Sequence, residues 1–211
     1  MKTSIKIAVA ALVIASFGFE GCKKGPNDPT ISFISRKSRV AGEWKYASGE
    51  GKSYDGMNEH REFTYDGSTI NEKITTTTPA GSSTVLTSRT ISVTFEKDGT
   101  YEQITTTTTP SPAATTDTET ETGTWNFTGS VGNNNNKDHI VMTTLSLTDV
   151  YVTAAGTTTT TNSYTGEDAP VAVYFLDKLA NKEIVITYEG TTTSANGTVT
   201  STNEGSWTLK Q

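Results

Sequence analysis

Cysteine, histidine and long apolar runs are scarce in this chain of 211 residues. Cys22 stands alone, so neither an internal disulfide nor a Cys-pair redox motif is available. The two histidines, His60 and His139, sit beside Glu59, Glu62 and Asp138, a ligand chemistry that suits a metal, yet nothing in the chain fixes them near each other. There is no Gly-x-Ser-x-Gly elbow and no phosphate-binding glycine loop, so hydrolase and nucleotide chemistry have no motif to rest on. The expectation is a protein with no metal, no cofactor and no enzymatic activity. Charged residues are only 19% of the chain, with a net charge of −6, and an acidic body is a poor match for nucleic acid. The longest apolar run, Ile7–Phe19, has 13 residues, too few to cross a bilayer as a stable helix.

That run has another use. Lys2 and Lys6 precede it and small or turn-forming residues follow, so residues 1–21 read as a secretory signal peptide. Cys22 comes next, with Gly21 before it, and resembles the lipidation site of a bacterial lipoprotein. Glu20 and Phe19 depart from the residues usual there, and cleavage after Gly18 with a free thiol is the other reading. Without the leader the chain carries 15 basic and 22 acidic side chains, a net of −7, unevenly spread: Cys22–Lys45 is +4 and the remainder −11. A basic segment beside a lipid anchor suits anionic headgroups, and it equally suits a solvated tether. Residues 22–29 contain Gly25, Pro26, Asn27, Asp28 and Pro29, which break regular structure and make a lipidated tether. Residues 30–211 are long enough for one all-β domain and too short for two.

What the chain has in abundance is threonine, about a fifth of all residues. Threonine is β-branched, stiff at χ1 and fits a pleated surface. Its runs are punctuated by turn signals at Asp66-Gly67, Pro79-Ala80-Gly81, Asp98-Gly99 and Asn196-Gly197. The pattern predicts strands near 43–48, 60–66, 69–78, 83–96, 100–109, 116–128, 138–147, 149–161, 170–177, 183–193 and 198–209. Longer loops are expected at 110–115, 129–137 and 166–170. One helix is expected over 30–40, capped by Thr30 or Ser32, with Ile31 and Ile34 on one face and Gly42 ending it. The stretch Phe95–Phe127 reads as an antiparallel meander ending in Gly123-Thr124-Trp125. Its Gly-x-Trp recurs at Trp44 and at Trp207, spacings of 81 and 82 residues, which suggests tryptophans at equivalent corners of one β-shell.

Alternation indicates which faces are buried: Ile91, Val93 and Phe95; Ile140 and Met142; Val171, Val173 and Phe175; Ile184 and Ile186. Apolar residues are too few for two thick sheet layers. One sheet closed on itself, an antiparallel up-and-down barrel of about 8 to 11 strands with one short N-terminal helix at its end, uses them best and removes exposed edges. The threonine runs supply neither the outward apolar band nor the aromatic girdles of a membrane-spanning barrel. One conflict stands out. Asp117, Glu119, Glu121, Gly123, Trp125 and Phe127 share a parity, so acids and aromatics lie on one face of an unbroken strand. Either a bulge at Gly123 switches the face, or the acids line a polar mouth above an aromatic floor. The i, i+2 carboxylates invite a paired-acid chemistry, but an exposed strand face looks the same.

Cys22-Lys23-Lys24, Asp28-Pro29, the Arg39–Lys45 opening of the first strand, Phe95–Tyr101, Gly123-Thr124-Trp125, Leu176–Ile186 and Trp207–Lys210 together resemble the lipocalin-like lipoproteins of Bacteroidetes. The resemblance covers most of the chain beyond the leader. It implies a calycin-type β-barrel, export to the periplasm or outer membrane with a lipid anchor in the membrane, and an interior suited to a small apolar molecule. It implies a structural role for Trp44 at the base; the parity of the strand 116–128 and the recurring Gly-x-Trp give structural roles to Gly123 and Trp207 as well. The expected lining residues are Phe95, Tyr101, Trp125, Phe127, Val173 and Phe175, with Glu119 and Glu121 at the rim. Two functions follow: an envelope lipoprotein binding a small apolar or amphipathic ligand, or a structural or adhesive surface module whose barrel is filled by its own side chains. Cavity volume separates them.

Overall fold

The computed structural model describes residues 34–55, 59–77, 80–109, 114–128, 138–193 and 199–211. The expected signal peptide, Cys22 and its tether, the caps at Thr30 and Ser32, the Asn196-Gly197 turn and the 129–137 loop lie outside the described residues. A helix α1 (Arg36–Val40) precedes eleven strands. In chain order these are β1 (Gly42–Asp55), β2 (Glu59–Tyr65), β3 (Thr69–Thr77), β4 (Ala80–Phe95), β5 (Thr100–Thr109) and β6 (Thr115–Phe127). There follow β7 (His139–Thr153), β8 (Gly156–Ser163), β9 (Val171–Leu179), β10 (Glu183–Thr193) and β11 (Val199–Lys210), with a 3-10 turn at Gly166–Asp168.

Every strand pairs antiparallel with the one before it except β9, which skips β8 and pairs with β7; β11 returns to β1. The result is an up-and-down barrel of ten strands, with β8 attached to the edge of β7. The ring has two tiers. At one end Gly42–Lys45 of β1 pair directly with Ser92–Phe95 of β4, so β2 and β3 enter the wall only above that level and eight strands close the base. Above the base, Ser146–Thr153 of β7 pair with β8 rather than β9, and β10 holds β9 only through Ile184–Thr187. The upper wall is therefore split between β8 and β10.

The base owes its closure to aromatic and aliphatic side chains pointing inward from all eight strands. Trp44, Leu176, Leu179, Ile184, Leu209 and Val93 are fully buried there. The indole N–H of Trp44 donates to Val40 O (2.7 Å) and that of Trp125 to Glu96 O (3.0 Å), so each polar edge is satisfied where the chain turns. Helix α1 is shorter than expected and starts at Arg36, because the Ser35 hydroxyl accepts the Ser38 N–H and fixes the N-cap there. Ile34 is exposed. Val40 drops into the core, Arg39 donates to Leu179 O (2.5 Å), and Arg36 lies over the Phe127 ring at 5.9 Å.

Three features depart from the sequence expectation. First, Trp207 is not at a corner equivalent to Trp44 and Trp125. It stands higher, in a cluster with Tyr46, Phe63 and Tyr65 at centroid distances of 5.3, 5.1 and 5.7 Å. Second, β1 continues through a Gly-rich stretch to Asp55, beyond the end expected near 48. Those glycines are flat ground for rings: a Cβ on Gly49 would lie 2.1 Å from Trp207, and one on Gly51 2.6 Å from the Tyr188 hydroxyl. Third, the break expected at Thr148 falls at Ala154-Ala155, a pair without turn chemistry of its own, and Gly156 (φ 146°) makes the return.

A Cβ on Gly205 would meet the Tyr188 hydroxyl at 2.5 Å and the Glu50 carbonyl at 2.6 Å. Gly205→Ala is therefore expected to cost about 1–3 kcal/mol through overpacking, measured as a lowered urea midpoint with an unchanged m-value.

Candidate functional site

The strand β6 carries the acids and the aromatics on one face, the inner one. Its pairing with β5 runs unbroken from Thr100↔Thr124 to Thr109↔Thr115, so Glu121 and Gly123 keep the parity of Trp125. The bulge exists, but in the partner: Thr122 faces Ser146 while Gly123 faces Thr144, leaving Leu145 extra and exposed. Gly123 is required at this crossing, since a Cβ there would lie 2.0 Å from the Thr143 carbonyl. The acids thus enter the barrel interior above an aromatic floor of Phe95, Tyr101 and Trp125.

The junction between floor and mouth is a hydrogen-bonded belt. Glu121 Oε1 accepts from the Tyr101 hydroxyl (2.5 Å) and from Thr144 Oγ1 (2.6 Å), and the Tyr46 hydroxyl donates to Gln103 Oε1 (3.0 Å). Burial first, and the Glu121 carboxylate second, hold the Tyr101 phenol protonated far above its ordinary range; burial does the same to Tyr46. Above the belt Glu119 sits across from Asp149 and Asp117 across from Tyr151, with Arg89 donating to Thr107 Oγ1 (3.1 Å) one strand away. Burial, then the Asp149, Glu121 and Asp117 charges, raise the Glu119 carboxyl above its ordinary value, while Arg89 pulls it down. This ledge repels anions and offers hydrogen bonds to hydroxyl or cationic groups. Among the described residues no group of three His, Cys, Asp or Glu is placed to hold a metal. His60 is beside Glu62 (4.0 Å), and His139 packs edge-on to Phe175 (5.2 Å).

Below the belt the interior is full. The void bounded by residues such as Tyr46, Phe95, Met142, Tyr174, Ile186 and Leu209 is about 10 Å³. Phe95, Tyr101 and Trp125, expected to line a ligand cavity, are instead core residues 5%, 3% and 3% exposed, and Phe127 packs on Trp125 at 5.6 Å. Val173 and Phe175 are on the other side of the wall. In Val171–Leu176 both strand faces are apolar, so alternation alone does not choose between them; Ile140 and Ile186 bury Tyr174 and Leu176 opposite them and turn Val173 outward, 49% exposed. The large concavity, about 1070 Å³, is an open groove bordered by Val173, Phe175 and His139 on one side and by Lys52, Glu62, Glu189 and Glu204 among others. Trp44 is fully buried in the base, Gly123 lies against the Thr143 carbonyl, and Trp207 belongs to the upper aromatic cluster. Tyr46 was reachable from the parity of Trp44. Thr144 and Gln103 carried no signal, since only the Leu145 bulge and the β5 register bring them to Glu121.

Compared with protein-family models, with curated proteins and with solved structures, the chain gives no match.

An acid whose proton affinity is raised by folding costs stability in full above its folded pKa, and the cost fades as pH falls from there and is gone below the ordinary, unfolded value. Glu119→Gln is therefore expected to raise Tm at pH 7, with the gain shrinking to nothing near pH 3, below the ordinary glutamate range, in paired thermal melts.

Proposed function

We propose that this protein is a non-enzymatic envelope module, anchored to the outer membrane through a lipid on Cys22, in which a lipocalin-like barrel is a filled structural support and recognition falls to its exterior. The supporting observation is the void of about 10 Å³ at the centre of the base. A small-molecule site takes about 300–1,000 Å³, whereas 10 Å³ is about the room one water needs. The Tyr101-Glu121-Thr144 belt also covers that core from above, so an apolar guest would have to displace both a packed ring and a satisfied carboxylate.

A second reading keeps one observation of its own. The outer groove is large enough for a small amphipathic molecule, with Val173 and Phe175 to hold its body and the Glu62 and Glu189 carboxylates to face a cationic head, beside Glu204 paired with Lys52 at 2.7 Å. In that reading the ligand lies against the wall, not within it.

Labelling cells with an alkyne fatty acid tests the anchor: the label and the membrane fraction are both expected to be lost in Cys22→Ser, and a label that survives the substitution overturns it. Native mass spectrometry of gently extracted protein tests the filled support. The expected mass is that of the acylated chain alone. A retained small molecule that is lost on substituting Val173→Asp would favour the groove, and one insensitive to it would favour a container.

A further inference from the structure

The outer strand β8 ends the sheet and, with the turn before it, carries no charge; the nearest charge on the hairpin is Asp149 of β7, opposite Thr160. None of the chain's charged side chains falls between Val150 and Thr165. β8 pairs with β7 in unbroken register from Thr153↔Gly156 to Ser146↔Ser163, and all eight of its residues are exposed. The Tyr164 N–H donates to Leu145 O (2.9 Å), and these two residues continue the same register. Because bonded and non-bonded pairs alternate along an antiparallel ladder, the even-numbered residues of β8 bond to β7. Thr157, Thr159, Thr161 and Ser163 consequently turn their N–H and C=O groups to the other edge, which no strand pairs among the described residues.

Edges of this kind are ordinarily guarded by a charge, a proline, a bulge or sheer shortness. β8 has no charge, no proline and no register shift, and its eight residues exceed the common strand length of about 5–6. An unguarded edge calls for a partner strand. We propose that the partner is a second copy of this chain, with β8 joined to β8, antiparallel, about a twofold axis.

Charge and sequence both favour the second copy. The chain is acidic, with a net charge of −6, so two copies repel across most orientations. Glu50, Glu62, Glu189 and Glu204 border the groove over β1, β2, β10 and β11, whereas β8 itself carries no charged side chain, the nearest on its hairpin being Asp149 one strand in, opposite Thr160. The run Thr157–Thr161 reads the same in both directions, so an antiparallel pairing sets threonine against threonine, a cross-strand pair that gains from hydroxyl hydrogen bonding. Thr148 and Thr161 already pair in this way across β7 and β8, at 3.1 Å. An edge that pairs with its own copy is used up in the dimer, so association through β8 stops at two.

Sedimentation velocity of the exported chain carrying Cys22→Ser, which removes any association through an acyl group, tests this. A concentration-dependent dimer is expected. Thr159→Pro takes away an outward N–H without touching the β7 ladder, and Thr159→Lys sets like charges across the twofold axis; each is expected to weaken dimerisation by about tenfold or more. The far-ultraviolet spectrum and Tm of the Thr159→Lys monomer should match the parent. A chain that stays monomeric at every concentration overturns the proposal and leaves the edge to a strand of another protein. A dimer that both variants leave intact, or species larger than a dimer, also overturns it.

Discussion

The indole N–H groups of Trp44 and Trp125, bonded to Val40 O and Glu96 O, mark the constraint on which the rest of the structure depends: a barrel with few apolar residues must close its narrow end completely. Eight strands meet there because Gly42–Lys45 pair directly with Ser92–Phe95. The aromatic and aliphatic residues of the chain are concentrated in that closure, and α1 adds Val40 from below. Burying large rings where their polar edges find carbonyls avoids the cost of about 1–3 kcal/mol for each unsatisfied group. Once the base is sealed this way, little room is left for a guest, which links the packing of two tryptophans to the reading of the barrel as a support.

Above the base the physics changes from apolar filling to ring-on-glycine packing and hydrogen bonding. Trp207 and Tyr188 lie over Gly49, Gly51 and Gly205, so the glycines, which cost backbone entropy in strands, recover contact area from rings placed against bare backbone. Beside them the Glu121 belt separates the dry floor from a polar ledge. The split between β8 and β10 follows from the same arrangement: β9 is consumed in closing the base, and higher up β7 takes β8 instead. The open edge of β8 is thus a consequence of how the narrow end is closed.

Much of this was legible in the residues. Ile91, Val93 and Phe95, Ile140 and Met142, and Ile184 and Ile186 alternate cleanly, and all of these except the partly buried Ile91 are buried on the inner face. The Asp66-Gly67 and Asp98-Gly99 turns are where their side chains accept the N–H groups of Ser68 and Thr100. Other features were not legible. Val171–Leu176 is apolar on both faces, so its inward side depended on which partner strand arrived. The Gly49-Glu50-Gly51 stretch lies past the expected end of the first strand near 48, and rings from β2, β10 and β11 cover it there.

The sequence by itself determined the class of fold, since β-branched abundance, period-two alternation and turn residues act locally and need no partner to be read. It also determined that acids and aromatics share a face of β6, because side-chain parity is a property of one strand. Whether the acids entered the barrel was decided by the tertiary structure, through the extra Leu145 that relieved the mismatch in β7 while leaving β6 straight. So was the filling of the floor, since the volume left inside depends on eight strands approaching at once and on which rings meet there.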